Sequence, residues 1–202
     1  MQLTDLIKKC YNEIPIMENR GNPWNIIADL ESIITAQIAT LSKSEYHVHN
    51  QIAIHKTAIV ESGAVLKPYA IIGKNCTIKA GAYLRNGVYL TQNVTIGANC
   101  EIKQSIIFSA SRTAHLNYVG NSMIGSDVNL EAGAVLANHF NEIPNKTVRL
   151  NYMGNVIDTQ SLKFGAIIGD RSRIGANAVL NPGTVLSPDS VVGRLVHVDQ
   201  MK

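Results

Sequence analysis

The sequence predicts an all-β solenoid: a left-handed parallel β-helix of hexapeptide repeats, preceded by a short helical segment. Three observations predict it. From Ile54 the chain places an aliphatic residue at every sixth position, through Val60, Leu66, Ile72, Ile78, Leu84, Leu90, Ile96 and Ile102. The pattern returns at Ile124, Leu130 and Leu136, and again at Ile168, Ile174, Leu180, Leu186 and Val192. Four positions after each stands a mostly small residue: Ala58, Ala64, Ala70, Cys76, Ala82, Val88, Val94, Cys100 and Ile106, then Val128, Ala134, Ser172, Ala178, Thr184 and Ser190. Gly and Asn recur between them, at Gly63, Gly73, Asn75, Gly81, Gly87, Asn93, Gly97, Asn99, Gly175 and Gly183, where tight turns need residues that tolerate positive φ.

A period of six matches neither an α-helix at 3.6 nor a half-buried strand at 2. It matches a triangular prism with one hexapeptide per side. The large aliphatic points inward and the small residue lets the chain turn the corner. Each inward aliphatic contributes roughly 1.5–3 kcal/mol of burial, most of it offset by chain entropy.

In chain order, residues 1–45 come first and differ from the rest. Leu3, Leu6, Ile7, Cys10, Tyr11 and Ile14 follow helical spacing. Asn22-Pro23-Trp24 reads as N-cap, proline at the first helical position and helix start. Trp24, Ile27, Leu30, Ile34, Ile38 and Leu41 then give a second helix an apolar face. This segment is expected to pack on the first coil and cap the strand edges that a solenoid exposes. The β-helix is expected over residues 46–202. Two segments break its period, 108–123 and 138–163, and excursions from a rigid solenoid are where function concentrates.

Composition agrees with a globular chain. Of 202 residues, 46% are hydrophobic and 16% charged, while aromatics are only 5%, so the core must be aliphatic. A net charge of +3 without a Lys/Arg block gives no footing for nucleic acid. The N-terminus lacks the pattern of a secretory signal, and no run of eighteen apolar residues predicts a membrane span. Cys10, Cys76 and Cys100 show no CxxC spacing, and an odd number argues against a disulfide framework. A cytoplasmic protein with reduced thiols is expected. Cys76 and Cys100 fall on small inward positions and read as packing residues.

The breaks carry a resemblance. The stretch 114–140, AHLNYVGNSMIGSDVNLEAGAVLANHF, resembles the acetyltransferase half of the bifunctional N-acetylglucosamine-1-phosphate uridylyltransferase/glucosamine-1-phosphate acetyltransferase family. VIDTQSLKFGAIIGD (156–170) followed by NPG (181–183), and NPWNIIADLESII (22–34), are similar to motifs of its archaeal-type relatives. The resemblance spans about residues 22–194. It does not extend to the nucleotidylyltransferase domain, for the sequence has no GxGxR-type loop, so uridylyl transfer is not carried over. Bacterial members continue past the point matching Lys202 with more coils and a tail that helps grip CoA, which bears on donor affinity.

What the resemblance implies is a CoA-dependent N-acyltransferase acting on an amino-sugar phosphate or sugar nucleotide, with acetyl-CoA or another acyl-CoA as co-substrate. His115 matches the general base of a His-Leu-x-Tyr motif, a role suited to an imidazole. Glu101 matches a carboxylate beside that base. Arg85, Lys103, Tyr118, Asn129 and Lys163 match acceptor-binding positions. Ala132, Asn138, His139 and Ala176 match the donor side, and Arg194 lies where a cation could meet CoA phosphates. The family implies a homotrimer with its site between neighbouring prisms. Residue spacing adds independent support. Arg85 and Lys103 each follow an inward aliphatic and lie eighteen residues apart, one full coil, which stacks them on one outer face. No metal is expected: His47 and His49 could share a strand face, but spacing supplies no third ligand. The competing reading is a non-catalytic β-helix that binds sugar nucleotide or partners a separate nucleotidylyltransferase.

Overall fold

The computed structural model describes residues 1–201; Lys202, the last position of the expected β-helix, lies outside the described residues. From Ile52 the chain winds as a left-handed β-helix of about 8 turns. It visits three faces in rotation. Face A carries seven parallel strands from Ile59–Val60 to Val191–Val192. Face B runs from Val65–Leu66 to His197–Val198, and face C from Ile52–His55 to Thr184–Leu186. Two strands, Tyr83–Leu90 and Glu101–Ile107, run continuously round the corner from B to C.

Every inward aliphatic of the six-residue pattern lies in or against a single core inside the prism. Cys76 and Cys100 lie in it too, and burial pushes the Cys76 thiol up to about 11, as suits a packing residue. Asn75, Asn93 and Asn99 sit at φ of 56, 56 and 55, so the asparagines take the left-handed corners.

The two breaks in the period differ in kind. Segment 108–123 is no excursion but a full coil. Leu90 pairs with Ile107, Ile96 with Thr113 and Ile102 with Val119, a step of 17 rather than 18. One residue is lost at the B-to-C corner, and a hydroxyl residue, Thr113, takes an inward position where its Oγ1 accepts from Gly97 N–H at 3.2 Å. The shift turns Ile106, expected at a small inward position, outward, and puts Ile107 inside. Segment 138–163 is a true excursion: Leu136 pairs with Leu180, a step of 44. It holds an antiparallel hairpin, Arg149–Tyr152 with Asn155–Asp158.

The N-terminal segment does not cap the first coil as expected. It forms α1 (Cys10–Glu13), α2 (Pro23–Ala28) and α3 (Leu30–Thr40), with 3₁₀ turns at Leu3–Asp5 and Pro15–Met17. The predicted second helix is split at Asp29, whose φ and ψ of −95 and 14 leave the helical range. These helices lie along face C. There Ala53, Ile71, Tyr89, Ile106, Met123, Ile167 and Val185 point outward and pack with Leu6, Ile7, Trp24, Ile27, Leu30 and Ile34 in a second core. The reason lies in the residues: on this face no strand turns a charged or amide side chain outward, whereas face A turns out Arg112, Asn129 and Arg173 and face B turns out Glu101 and His197, so the outer side of face C must be covered. The open edge of the first coil is met instead by Tyr46–His49, which pairs antiparallel to Ile52–His55.

Asp170 ties this cover to the prism. It is buried, and its carboxylate accepts the main-chain N–H of Ser126 at 2.7 Å and of Lys8 at 3.0 Å. Asp170→Ala leaves both donors without a partner and is expected to cost about 3 kcal/mol, read as a lower urea midpoint and faster proteolysis of the first 45 residues. An unchanged midpoint would remove Asp170 from this role.

Candidate functional site

Face B gathers the cations. Arg85 and Lys103 are register partners on neighbouring coils, and beside them Tyr83, Glu101 and Tyr118 form a second column. The Arg85 guanidinium grips Glu101, with Nη2 at 2.6 Å and Nε at 2.8 Å from Oε1. A cleft of about 630 Å³ opens here, lined by Arg85, Glu101, Tyr83 and, from α3, Glu31. Lys103 has its pKa lowered, first by burial and then by the ammonium of Lys163 and the Arg85 guanidinium. Three cations thus gather here, with Glu101 the carboxylate that acts on Lys103 against their repulsion.

The excursion delivers Lys163 to this place. Phe164 N–H donates to the Asn138 carbonyl at 2.9 Å, closing the loop on its own start. The fully buried Phe164 ring meets Trp24 of α2 edge-on at 6.2 Å. The Pro-Trp helix therefore holds the loop end that carries Lys163.

Tyr118 leans toward the B-to-C corner. Its hydroxyl lies against Asn138, and both groups crowd the space over Gly120, where a Cβ would lie 2.7 Å from the hydroxyl and 2.9 Å from Asn138 Cγ. Burial, followed by the Glu101 carboxylate, raises the Tyr118 pKa, while the Arg85 guanidinium and the nearby Asn138 amide oppose that rise. Asn138 is buried; its Oδ1 lies 3.1 Å from Nδ1 of the exposed His139.

His115 lies elsewhere, on the edge between faces A and B. It is exposed, and among the described residues its imidazole makes no side-chain hydrogen bond. This edge is a main-chain ladder. Leu116 N–H donates to Ala98, Gly133 to His115, Asn177 to Ala132 and Leu195 to Ala176, at 2.9–3.1 Å. His115, Ala132, Ala176 and Arg194 therefore stack along one line. Asn129 faces outward on face A, lining with His115 and Arg112 a groove of about 470 Å³.

The candidate residues thus fall into two groups. Arg85, Glu101, Lys103, Tyr118, Lys163, Asn138 and His139 share face B and its corner with C. His115, Asn129, Ala132, Ala176 and Arg194 share the A/B edge. The expected donor set is divided, because Asn138 and His139 sit with the acceptor group. Arg194 is also less free than the sequence suggests. Glu131 accepts its Nε at 2.8 Å and Nη2 at 2.9 Å, and also the N–H of Ala176 at 2.9 Å. Sequence reasoning missed Glu131, and missed Gln104 and Asn121, which adjoin Asn138. For the last two a signal existed: Gln104, Asn121 and Asn138 recur every 17 residues, the period of the shortened coils. His55, close in sequence to His47 and His49, is engaged by Thr57 through Nδ1 at 3.0 Å and packs edge-on against Tyr46.

The parallel strands on three faces and the six-residue period define the class of the hexapeptide-repeat β-helices. The family model described as the GMPPB C-terminal domain matches residues 48–157, more than half of the chain, and the chain belongs to that family. A model for the hexapeptide repeat of succinyl-transferase matches residues 165–193. The chain is 34% identical over 185 residues to a bifunctional sugar-1-phosphate nucleotidylyltransferase/acetyltransferase of Sulfurisphaera tokodaii, covering 86% of this chain and 45% of that protein. It is 31% identical over 214 residues to the bifunctional protein GlmU of Methanococcus maripaludis, covering 99% of this chain and 51% of the relative. The chain spans about half the length of the curated relatives it matches. Among solved structures, the acetyltransferase domain of PglB from Neisseria gonorrhoeae overlaps 92% of this chain and 68% of that one, at 15% identity and a TM-score of 0.29. A superposition that loose carries no argument. Among the described residues, no helix is long and apolar enough to cross a membrane.

Proposed function

We propose that the protein is a CoA-dependent N-acyltransferase acting on an amino-sugar phosphate, with a glucosamine-1-phosphate-like acceptor. The observation that carries this reading is the gathering of Arg85, Lys103 and Lys163 beside Tyr118 on face B. A forked guanidinium with two ammonium groups suits a phosphate dianion, and the phenol suits a sugar hydroxyl.

In the proposed chemistry the acceptor amine attacks the thioester carbonyl of the donor. His115 takes the amine proton as the C–N bond forms. The tetrahedral intermediate then expels the CoA thiolate, which receives that proton. Orientation alone suffices and no covalent enzyme intermediate is needed. The small side chains of Ala132 and Ala176 leave the main chain of the A/B edge open to the donor. CoA phosphates would compete with Glu131 for Arg194. Glu101, held by Arg85, is assigned to orienting the amine. The division of the candidates between an edge and a face favours a homotrimer, in which the edge of one copy meets the face of the next. We read residues 1–45 as a helical segment and 46–202 as the acyltransferase-like β-helix, and the reaction as cytoplasmic.

The test is acetyl-CoA-dependent acylation of a panel of amino sugars, including glucosamine 1-phosphate, read as free CoA. Arg85→Ala should raise the acceptor KM roughly tenfold, because phosphate contact is mostly uniform binding, with a smaller fall in kcat because Glu101 loses the guanidinium that holds it. An unchanged KM would remove Arg85 from the acceptor site. Absence of turnover across the panel, with sugar nucleotide still bound, would favour the non-catalytic reading instead.

A further inference from the structure

Gln104, Asn121 and Asn138 stand on successive coils at the B-to-C corner, and their amides join head to tail. Gln104 Nε2 donates to the main-chain carbonyl of Ile27 in α2 at 2.9 Å. Asn121 Nδ2 donates to Gln104 Oε1 at 2.9 Å, and Asn138 Nδ2 to Asn121 Oδ1 at 2.6 Å. Asn138 Oδ1 then faces His139 Nδ1 at 3.1 Å. Asn121 and Asn138 are both nearly inaccessible, at 3% exposure, so water does not compete for the bond between them.

The row has one allowed polarity. A main-chain carbonyl only accepts, so the group of Gln104 that meets Ile27 must be its NH₂. That leaves Gln104 Oε1 for Asn121, which must present NH₂, and the same logic passes to Asn138. Reversing any one amide sets oxygen against oxygen or NH₂ against NH₂. The oxygen of Asn138 is therefore what His139 meets, and a neutral imidazole can bond it only through Nδ1–H.

We propose that Gln104, Asn121 and Asn138 form a polarised relay, anchored on the Ile27 carbonyl, that fixes His139 as the Nδ1–H tautomer and leaves its exposed Nε2 as a hydrogen-bond acceptor at the B-to-C corner. The cation cluster suits a phosphate, whereas a sugar also presents hydroxyl donors, which need an acceptor of this kind. Gln104 and Asn121 are positioning residues: they act on the site through Asn138, whose amide adjoins the Tyr118 hydroxyl over Gly120. The role in acceptor binding rests on the sugar-phosphate reading above; the tautomer does not.

Long-range ¹⁵N–¹H correlation spectra of histidine-labelled protein at about pH 8.5, where imidazoles are neutral, read the tautomer directly. The His139 resonances are those lost in His139→Gln. Wild type is expected to carry the proton on Nδ1. Cutting the relay with Gln104→Met or Asn121→Leu is expected to return His139 to the Nε2–H form that free imidazole side chains favour. Either variant should also raise the acceptor KM about tenfold with a smaller change in kcat. A wild-type His139 protonated on Nε2, or an Nδ1–H tautomer that survives both cuts, would overturn the proposal. A wild type that transfers no acyl group would defeat the functional reading and leave the tautomer result standing.

Discussion

His115→Ala is expected to lower kcat/KM for acyl transfer by about 10²–10⁴-fold, the contribution typical of a positioned general base. The same variant should fold and assemble as the parent does. His115 is exposed and makes no side-chain hydrogen bond among the described residues, so its removal leaves no cavity and no orphaned donor. Its stability should stay within about 0.5 kcal/mol of the parent, as for most exposed positions. A loss of activity with an unchanged urea midpoint and unchanged oligomeric state separates chemistry from scaffolding. Undiminished turnover would remove the general-base assignment and leave the A/B edge without a catalytic residue.

The second large effect is on stability. Gly97 starts the A-to-B corner one coil from His115, and its N–H donates to the Thr113 carbonyl at 2.9 Å. Its φ is not positive, so alanine is conformationally acceptable there. The obstacle is space: an added Cβ would overlap the main-chain carbonyl of Ala114. That atom belongs to the next coil and cannot swing aside as a side chain would. Gly97→Ala is expected to destabilise by at least about 3 kcal/mol, at the upper end of overpacking effects, and to displace His115 as the coils part. Gly154, at the hairpin tip, gives the contrast. It has nothing within 4 Å but a φ of 78, so alanine there should cost about 1 kcal/mol, through backbone strain alone. Equal urea midpoints for the two variants would contradict the coil spacing at Gly97.

The interior of the prism was legible because a six-residue period leaves little freedom. Ile72, Leu84 or Ile174 could point nowhere but inward once the coil was assumed. The stacking of Arg85 on Lys103 followed from the same arithmetic and is met by their register pairing. The coil through 108–123 escaped because two features changed together: one residue dropped out at the corner after Ile102, and Thr113 replaced an aliphatic. Either alone would have left the rhythm audible. The placement of the helices escaped for another reason. Helical spacing in residues 1–45 shows that an apolar stripe exists, not which surface receives it. The signal for that surface lay in the doublets Ile71-Ile72, Tyr89-Leu90, Ile106-Ile107 and Ile167-Ile168, where one face is apolar on both sides. Within the candidate site, residue identities came from the resemblance, while their division between an edge and a face depends on corners that a linear pattern does not locate. The bond between Arg194 and Glu131 crosses a whole coil and the excursion, a separation of 63 residues that no local motif encodes.

The helical cover on face C has a consequence for approach. A triangular prism has three ridges, and each is flanked by two faces. Face C is closed by α2, α3 and their neighbours. The B/C and C/A ridges therefore each have one flank blocked. The ridge between A and B, with its file of His115, Ala132, Ala176 and Arg194, keeps both flanks open. A body large enough to span two faces, such as another copy of this chain, can straddle the prism only there. The helices thereby give an otherwise nearly three-fold cross-section a front and a back.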